Sequence, residues 1–173
     1  MKVRTSHCKM NRQPGIFHPH FSRPMKLFDT KVIAVSNQKG GVGKTTSAVN
    51  IAAYLAVTET PTLLIDMDPQ ANATSGVGIE VGSYKKSIYD IIIGKAKMPE
   101  VIHKTDLEYL DVVPSSAQLV GAEIELVSLF SRERMLKEAL EELGGKYKYI
   151  IIDSPPSLGL LTINVLTASD SIV

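Results

Sequence analysis

The sequence predicts an α/β protein built on a mostly parallel central sheet. Three observations lead there. A β-branched apolar run, Val32 to Val35, passes into a glycine-rich turn and then into a helical pattern. A second apolar run, Thr62 to Ile65, follows that helix and ends in Asp66-Met67-Asp68-Pro69-Gln70. A third, Tyr149 to Ile152, ends in Asp153-Ser154-Pro155-Pro156. Strand, helix, strand is the order of a parallel pair joined by a crossover, and continuous apolar strands are those buried on both faces. In open parallel sheets ligands gather at the carboxyl ends of the strands. The aspartates Asp66, Asp68 and Asp153 all fall there.

The first turn, Ser36-Asn37-Gln38-Lys39-Gly40-Gly41-Val42-Gly43-Lys44-Thr45-Thr46, has the chemistry of a triphosphate cradle. Gly40, Gly41 and Gly43 let the backbone curl so that its N–H groups approach an anion. A helix starting near Lys44 adds free N–H groups and the positive end of its dipole. Lys44 is placed to reach the outer phosphates, the Thr45 hydroxyl to bind Mg²⁺, and Thr46 to add a hydroxyl at the helix mouth. The strict phosphate-loop pattern requires a glycine where this chain has Gln38, and it needs no lysine where this chain has Lys39.

The helix after Thr46 carries apolar residues at Ala48, Ile51, Ala52, Leu55 and Ala56, one stripe of a helical surface, and Pro61 ends it. Ser87 to Ile93 reads as either a short helix or a strand, closed by Gly94. Tyr109 to Val113 reads as a strand ended by Pro114. Leu129 to Leu143 reads as a helix with Leu136, Leu140 and Leu143 on one face, stopped by Gly144-Gly145. Its charges Arg132, Glu133, Arg134, Lys137 and Glu138 read as a solvated face. Leu160 to Thr167 reads as a further helix, and Asp170-Ser171-Ile172-Val173 as the beginning of another buried strand.

The 173 residues suit one domain with a real core. Hydrophobic residues make up 44%, with no run near membrane-spanning length. The single cysteine, Cys8, allows no internal disulfide, which fits a reducing compartment. The net charge of +1 hides an asymmetry: six basic residues and no acid precede Asp29, and the rest of the chain carries −5. That body is a poor electrostatic footprint for DNA. Residues 1–28 read as a basic, disordered leader. Pro14, Pro19 and Pro24 break any periodicity there, and His7, Cys8, His18 and His20 match no zinc spacing. Met25-Lys26-Leu27-Phe28 would then open the natural protein.

Three separated motifs, in order, carry a family resemblance. They are Lys39-Gly40-Gly41-Val42-Gly43-Lys44-Thr45-Thr46, the run Asp66-Met67-Asp68-Pro69-Gln70-Ala71-Asn72-Ala73-Thr74, and Asp153-Ser154-Pro155-Pro156-Ser157. Val113-Pro114-Ser115-Ser116-Ala117-Gln118-Leu119, leading to Gly121-Ala122-Glu123, adds to them. From about Lys31 onward the chain resembles the ParA/Soj branch of the deviant phosphate-loop ATPases. The resemblance implies a three-layer phosphate-loop NTPase fold over residues 29–173, with the Ser87–Ile93 segment helical. It implies ATP and Mg²⁺ as cofactors and slow hydrolysis within a nucleotide-sandwich homodimer. Lys39 would reach the partner's phosphates, Asp68 would position the attacking water, and Asp66 and Asp153 would stand near the metal with Thr45. A ParB-type centromere-binding protein would be the partner. Non-specific DNA would be held mainly by a further C-terminal portion, without a membrane, in the cytoplasm at the nucleoid. The cargo would be a chromosome or a plasmid.

The chain is expected to be the N-terminal part of such a domain, truncated at its C-terminus. An iron–sulfur carrier ATPase of the Mrp type is a second reading, disfavoured by the Asp68-Pro69-Gln70 run. A non-catalytic dimerisation remnant is a third. Nitrogenase iron-protein relatives are disfavoured because the domain body has no cluster-binding cysteine.

Overall fold

In the computed structural model, which describes residues 27–173, the chain folds as three layers around a six-stranded sheet. The elements run β1 (Lys31–Val35), α1 (Lys44–Val57), β2 (Thr62–Asp66), α2 (Asn72–Gly76), α3 (Ile88–Ile92), β3 (His103–Lys104) and β4 (Leu110–Val113). Then come α4 (Leu119–Leu126), α5 (Met135–Glu141), β5 (Tyr149–Asp153), α6 (Leu160–Ala168) and β6 (Ser171–Ile172). The strand order is β3-β4-β2-β5-β1-β6, and all pairs are parallel except β3 with β4. Residues 1–26 of the expected leader, with its histidines and Cys8, lie outside the described residues; the Phe28 N–H donates to the Gly145 carbonyl at 3.1 Å.

Alternation along the central strands sets the layers. Leu63, Ile65, Ile150 and Ile152 pack on one face with residues of α3, α4, α5 and α6. Leu64 and Ile151 point to the other face, where they meet Ala48, Ala52 and Ala56 of α1. Successive strand side chains must point to opposite faces, so continuous apolar strands feed two cores at once. The alanines let α1 lie close on the sheet, which fixes where its first turn sits.

The structure redraws several boundaries. Ser87 to Ile93 is the helix α3: Ser87 caps it by accepting from the Tyr89 N–H, and Asp90 accepts from the Ser87 N–H in return. The helix expected over Leu129–Leu143 begins only at Met135. Its start is set from a distance by the buried Asn164 of α6, which accepts from the Leu136 N–H at 3.1 Å and donates to the Arg132 carbonyl at 2.7 Å. Ser131 has φ +54, a turn rather than a helix. Helix α4, for which the sequence reading gave no element, buries Leu119, Ala122 and Leu126. That i, i+3, i+7 spacing was the available signal. The strand after Asp170 exists as β6, but its residues are exposed because β1 is its single neighbour. Among the described residues no helix is long and apolar enough to cross a membrane.

Candidate functional site

The site is built where three neighbouring strands end together. Val35, Asp153 and Asp66 are in register at the carboxyl tips of β1, β5 and β2. Ser154 ties the tips by donating its hydroxyl to the Val35 carbonyl at 2.9 Å, and the Met67 N–H donates to the Asp153 carbonyl at 2.9 Å. The chain leaving β1 curls through the glycine turn and enters α1.

In that turn Gly41 and Gly43 have φ +71 and +87, conformations that a side chain would strain. A Cβ built at Gly40, Gly41 or Gly43 would meet nothing within 4 Å, so the loop faces open space. Gly43 is the N-cap of the 14-residue α1, no side chain caps the helix, and its first turn holds no acid. Its leading N–H groups and the positive end of its dipole therefore remain free for an anion. The cleft in front has a volume of about 430 Å³ and is lined by Gly40, Gly41, Gly43, Lys44, Thr45, Thr46, Asp68, Gln70, Asn72 and Pro156.

Lys44 is buried, its ammonium donating to the Lys39 carbonyl at 3.3 Å across the turn. That single long bond leaves two of its three donors for a ligand. Lys39 is exposed at the lip and makes no ion pair among the described residues; its N–H donates to Asn37 Oδ1 at 3.0 Å, which fixes the local turn. Val42 is exposed beside it.

The three aspartates differ sharply. Asp68 faces the cleft, and its Oδ1 accepts from the Gln70 N–H at 2.9 Å. Asp66 is fully buried and has its oxygens engaged: Oδ1 accepts from the Asp68 N–H at 3.1 Å, and Oδ2 from the Thr74 N–H at 2.8 Å and hydroxyl at 2.7 Å. Burial pushes its carboxyl up, and these hydrogen bonds pull it back. Asp153 is fully buried, and neither carboxyl oxygen has a hydrogen-bond partner. Burial pushes its carboxyl up to about 7; the nearby Thr45 hydroxyl, which makes no hydrogen bond of ordinary geometry, and Lys44 oppose the rise, while Asp66 and Asp68 add to it.

An orphaned buried carboxylate beside a threonine hydroxyl at the mouth of an anion cradle is the donor set a Mg²⁺ takes. Asp153 and Thr45 fit that ion. Asp66, expected near the metal as well, has its oxygens engaged in holding the loop after β2. Sequence reasoning gave no role to Thr74, Ser115 or Pro156, because their contacts join segments far apart in the chain.

The state of Asp153 has a consequence for stability without metal. The folded chain keeps a proton that the unfolded chain, with a carboxyl near the ordinary 3.8, releases. Between about pH 4 and 7 the folded state binds more protons, so stability falls as pH rises, by up to about 1.4 kcal/mol per pH unit, and levels off above about 7. Asp153→Asn is expected to flatten that decline in urea titrations across this window with metal chelated. Equal slopes for the two proteins would contradict it.

A glycine-rich turn feeding an uncapped helix, with paired carboxylates at adjoining strand tips, defines a phosphate-loop nucleotide-binding domain. A family model described as AAA domain matches residues 30–173. The chain belongs to that family, in its ParA/Soj-type branch. It is 58% identical over 143 residues to sporulation initiation inhibitor protein Soj of Bacillus subtilis (strain 168), an alignment covering 83% of this chain and 56% of Soj. It is 53% identical over 143 residues to chromosome partitioning protein ParA of Myxococcus xanthus (strain DK1622), covering 83% of this chain and 50% of that one. The chain thus spans about half the length of these relatives. Among solved structures, cobyrinic acid a,c-diamide synthase from Mycobacterium smegmatis with bound ADP and magnesium superposes with a TM-score of 0.80 at 39% identity, over 83% of this chain and 58% of that one.

Proposed function

We propose that this chain carries the nucleotide-binding half of a Mg²⁺-dependent partition ATPase, which binds ATP, dimerises around it and hydrolyses it slowly. The observation that carries the reading is the pairing of an open cradle, headed by Lys44, with the unpartnered Asp153 carboxylate next to Thr45. The likeness to Soj and ParA, and ADP with magnesium in the similar structure, support it.

In this mechanism the loop N–H groups and the α1 N-terminus hold the β- and γ-phosphates, and Lys44 neutralises their outer oxygens. Thr45 and Asp153 would hold Mg²⁺, which when bound neutralises charge shared by the β- and γ-phosphate oxygens. Asp68, at the cleft wall, orients the attacking water and accepts its proton. Lys39 stands free at the lip, suited to reach a nucleotide held by a second copy and to offset charge building on the leaving group. A ParB-type partner, DNA and a nucleoid location belong to the same proposal, as does cargo that is a chromosome or a plasmid. The −5 charge carried from Asp29 onward is in keeping with DNA contacts made mainly by cations outside that stretch.

Sedimentation and steady-state hydrolysis test the reading together. MgATP is expected to convert monomer to dimer, and ADP to leave monomer. Lys39→Ala is expected to bind MgATP within about threefold of the parent but to lower turnover by roughly 100-fold, the scale of losing one charge-stabilising donor. Turnover unchanged in Lys39→Ala, or no nucleotide-dependent dimer, would overturn the sandwich mechanism.

A further inference from the structure

The loop that presents Asp68 is held from behind by a buried polar clamp. Ser115, at the tip of β4, donates its hydroxyl to the Asp68 carbonyl at 2.6 Å. Its N–H donates to the Thr74 hydroxyl oxygen at 3.0 Å. The Thr74 hydroxyl donates to Asp66 Oδ2, whose other oxygen accepts from the Asp68 N–H. Asp66, Thr74 and Ser115 are each fully buried. The N–H and carbonyl of Asp68 are thus gripped by side chains, Asp66 of β2 and Ser115 just beyond β4, and the carbonyl also accepts from the Ala71 N–H at 2.9 Å. Tyr84 closes the back of the clamp by donating its hydroxyl to the Ser115 carbonyl. None of these clamp residues lines the cleft.

We propose that Thr74 and Ser115 are positioning residues of the ATPase: with Asp66 as their anchor, they fix the backbone of Asp68 and so the aim of its carboxylate at the attacking water. The inference rests on the role given to Asp68 above. Asp68 lies in a loop whose strand has already ended, so no ladder holds it. Its carboxylate uses one oxygen on the Gln70 N–H, which turns the side chain relative to its own loop but not relative to the phosphate cradle. The Met67 N–H, bonded to the Asp153 carbonyl, ties the residue before Asp68 to β5, but the N–H and carbonyl of Asp68 itself are tied to the sheet through Asp66 and Ser115. Misplacing a catalytic group by about 1 Å costs on the order of 100-fold in rate, so partial slackening of the clamp lowers turnover without emptying the cradle. The same clamp spans β2 and β4, so it reads the relative placement of two strand tips rather than one.

Thr74→Val keeps the shape and removes the hydroxyl; Thr74→Ser restores it; Ser115→Ala removes the grip on the Asp68 carbonyl. Hydrolysis and MgATP binding are measured on each, with Asp68→Asn alongside. Thr74→Val and Ser115→Ala are expected to lower kcat by roughly tenfold while Kd for MgATP stays within about twofold, and Thr74→Ser to recover the parent rate. If Asp68→Asn keeps full turnover, the role of Asp68 fails and the clamp's catalytic meaning with it. If Asp68→Asn loses turnover while both clamp variants keep it, the clamp inference alone fails. Hydrogen exchange gives a readout that needs no turnover. Ser115→Ala is expected to speed exchange at the Asp68, Gln70 and Ala71 amides at least tenfold, leaving the β5 amides unchanged. Unchanged exchange at those three amides overturns the proposal in any case.

Discussion

Replacing Lys44 by Ala is expected to weaken MgATP binding by about 100-fold or more while leaving the fold intact. Lys44 is the cation buried in the cradle, and its one intramolecular bond, to the Lys39 carbonyl, is long. Removing one member of a buried charge pair costs about 2–5 kcal/mol, and each 1.4 kcal/mol is tenfold in affinity. The folded chain itself loses little. A half-satisfied buried ammonium is a cost to folding, and truncating it removes that cost. Calorimetric titration with a non-hydrolysable ATP analogue and Mg²⁺ measures the loss, and a thermal melt checks the fold. Affinity retained within a few-fold would mean that the phosphates sit elsewhere.

Asp68→Asn is expected to separate binding from chemistry. The side chain lines the cleft but makes no contact that builds the loop, apart from accepting from the Gln70 N–H, which an amide oxygen also accepts. The cradle amides, Lys44 and Thr45 are untouched, so MgATP still binds. What is lost is the acceptor for the proton of the attacking water, an effect of roughly 100- to 10,000-fold on kcat. Single-turnover hydrolysis beside equilibrium binding distinguishes the two. The variant is expected to accumulate the ATP-bound dimer, visible by sedimentation. A Kd raised in step with the lost rate would assign Asp68 to nucleotide binding instead.

Much of the fold was legible in the chain. Val32 to Val35, Thr62 to Ile65 and Tyr149 to Ile152 read as buried strands because they carry no polar residue beyond the hydroxyl of Thr62 and the Tyr149 phenol. The cradle was legible because glycine spacing, lysine and threonine are all local requirements of one turn. Helix α4 was passed over because its apolar face is short and the residues between, Val120 and Ile124, are apolar too and exposed. The start of α5 was not legible at all, since Asn164, 28 residues downstream, supplies the bonds that set it.

The sequence by itself determined the parallel sheet and the phosphate cradle, and brought the three aspartates to strand tips, because hydrophobic period and turn chemistry act over a few residues. Only the tertiary structure decided how the aspartates differ. Asp66, Asp68 and Asp153 look alike in the chain. They differ in the folded protein because Thr74 and the Asp68 amide saturate Asp66, the cleft opens onto Asp68, and Asp153 is buried beside Thr45 with no protein hydrogen bond to either oxygen. A carboxylate's chemistry is set by the partners that surround it, and those partners come from α1, α2 and the loop after β2 together.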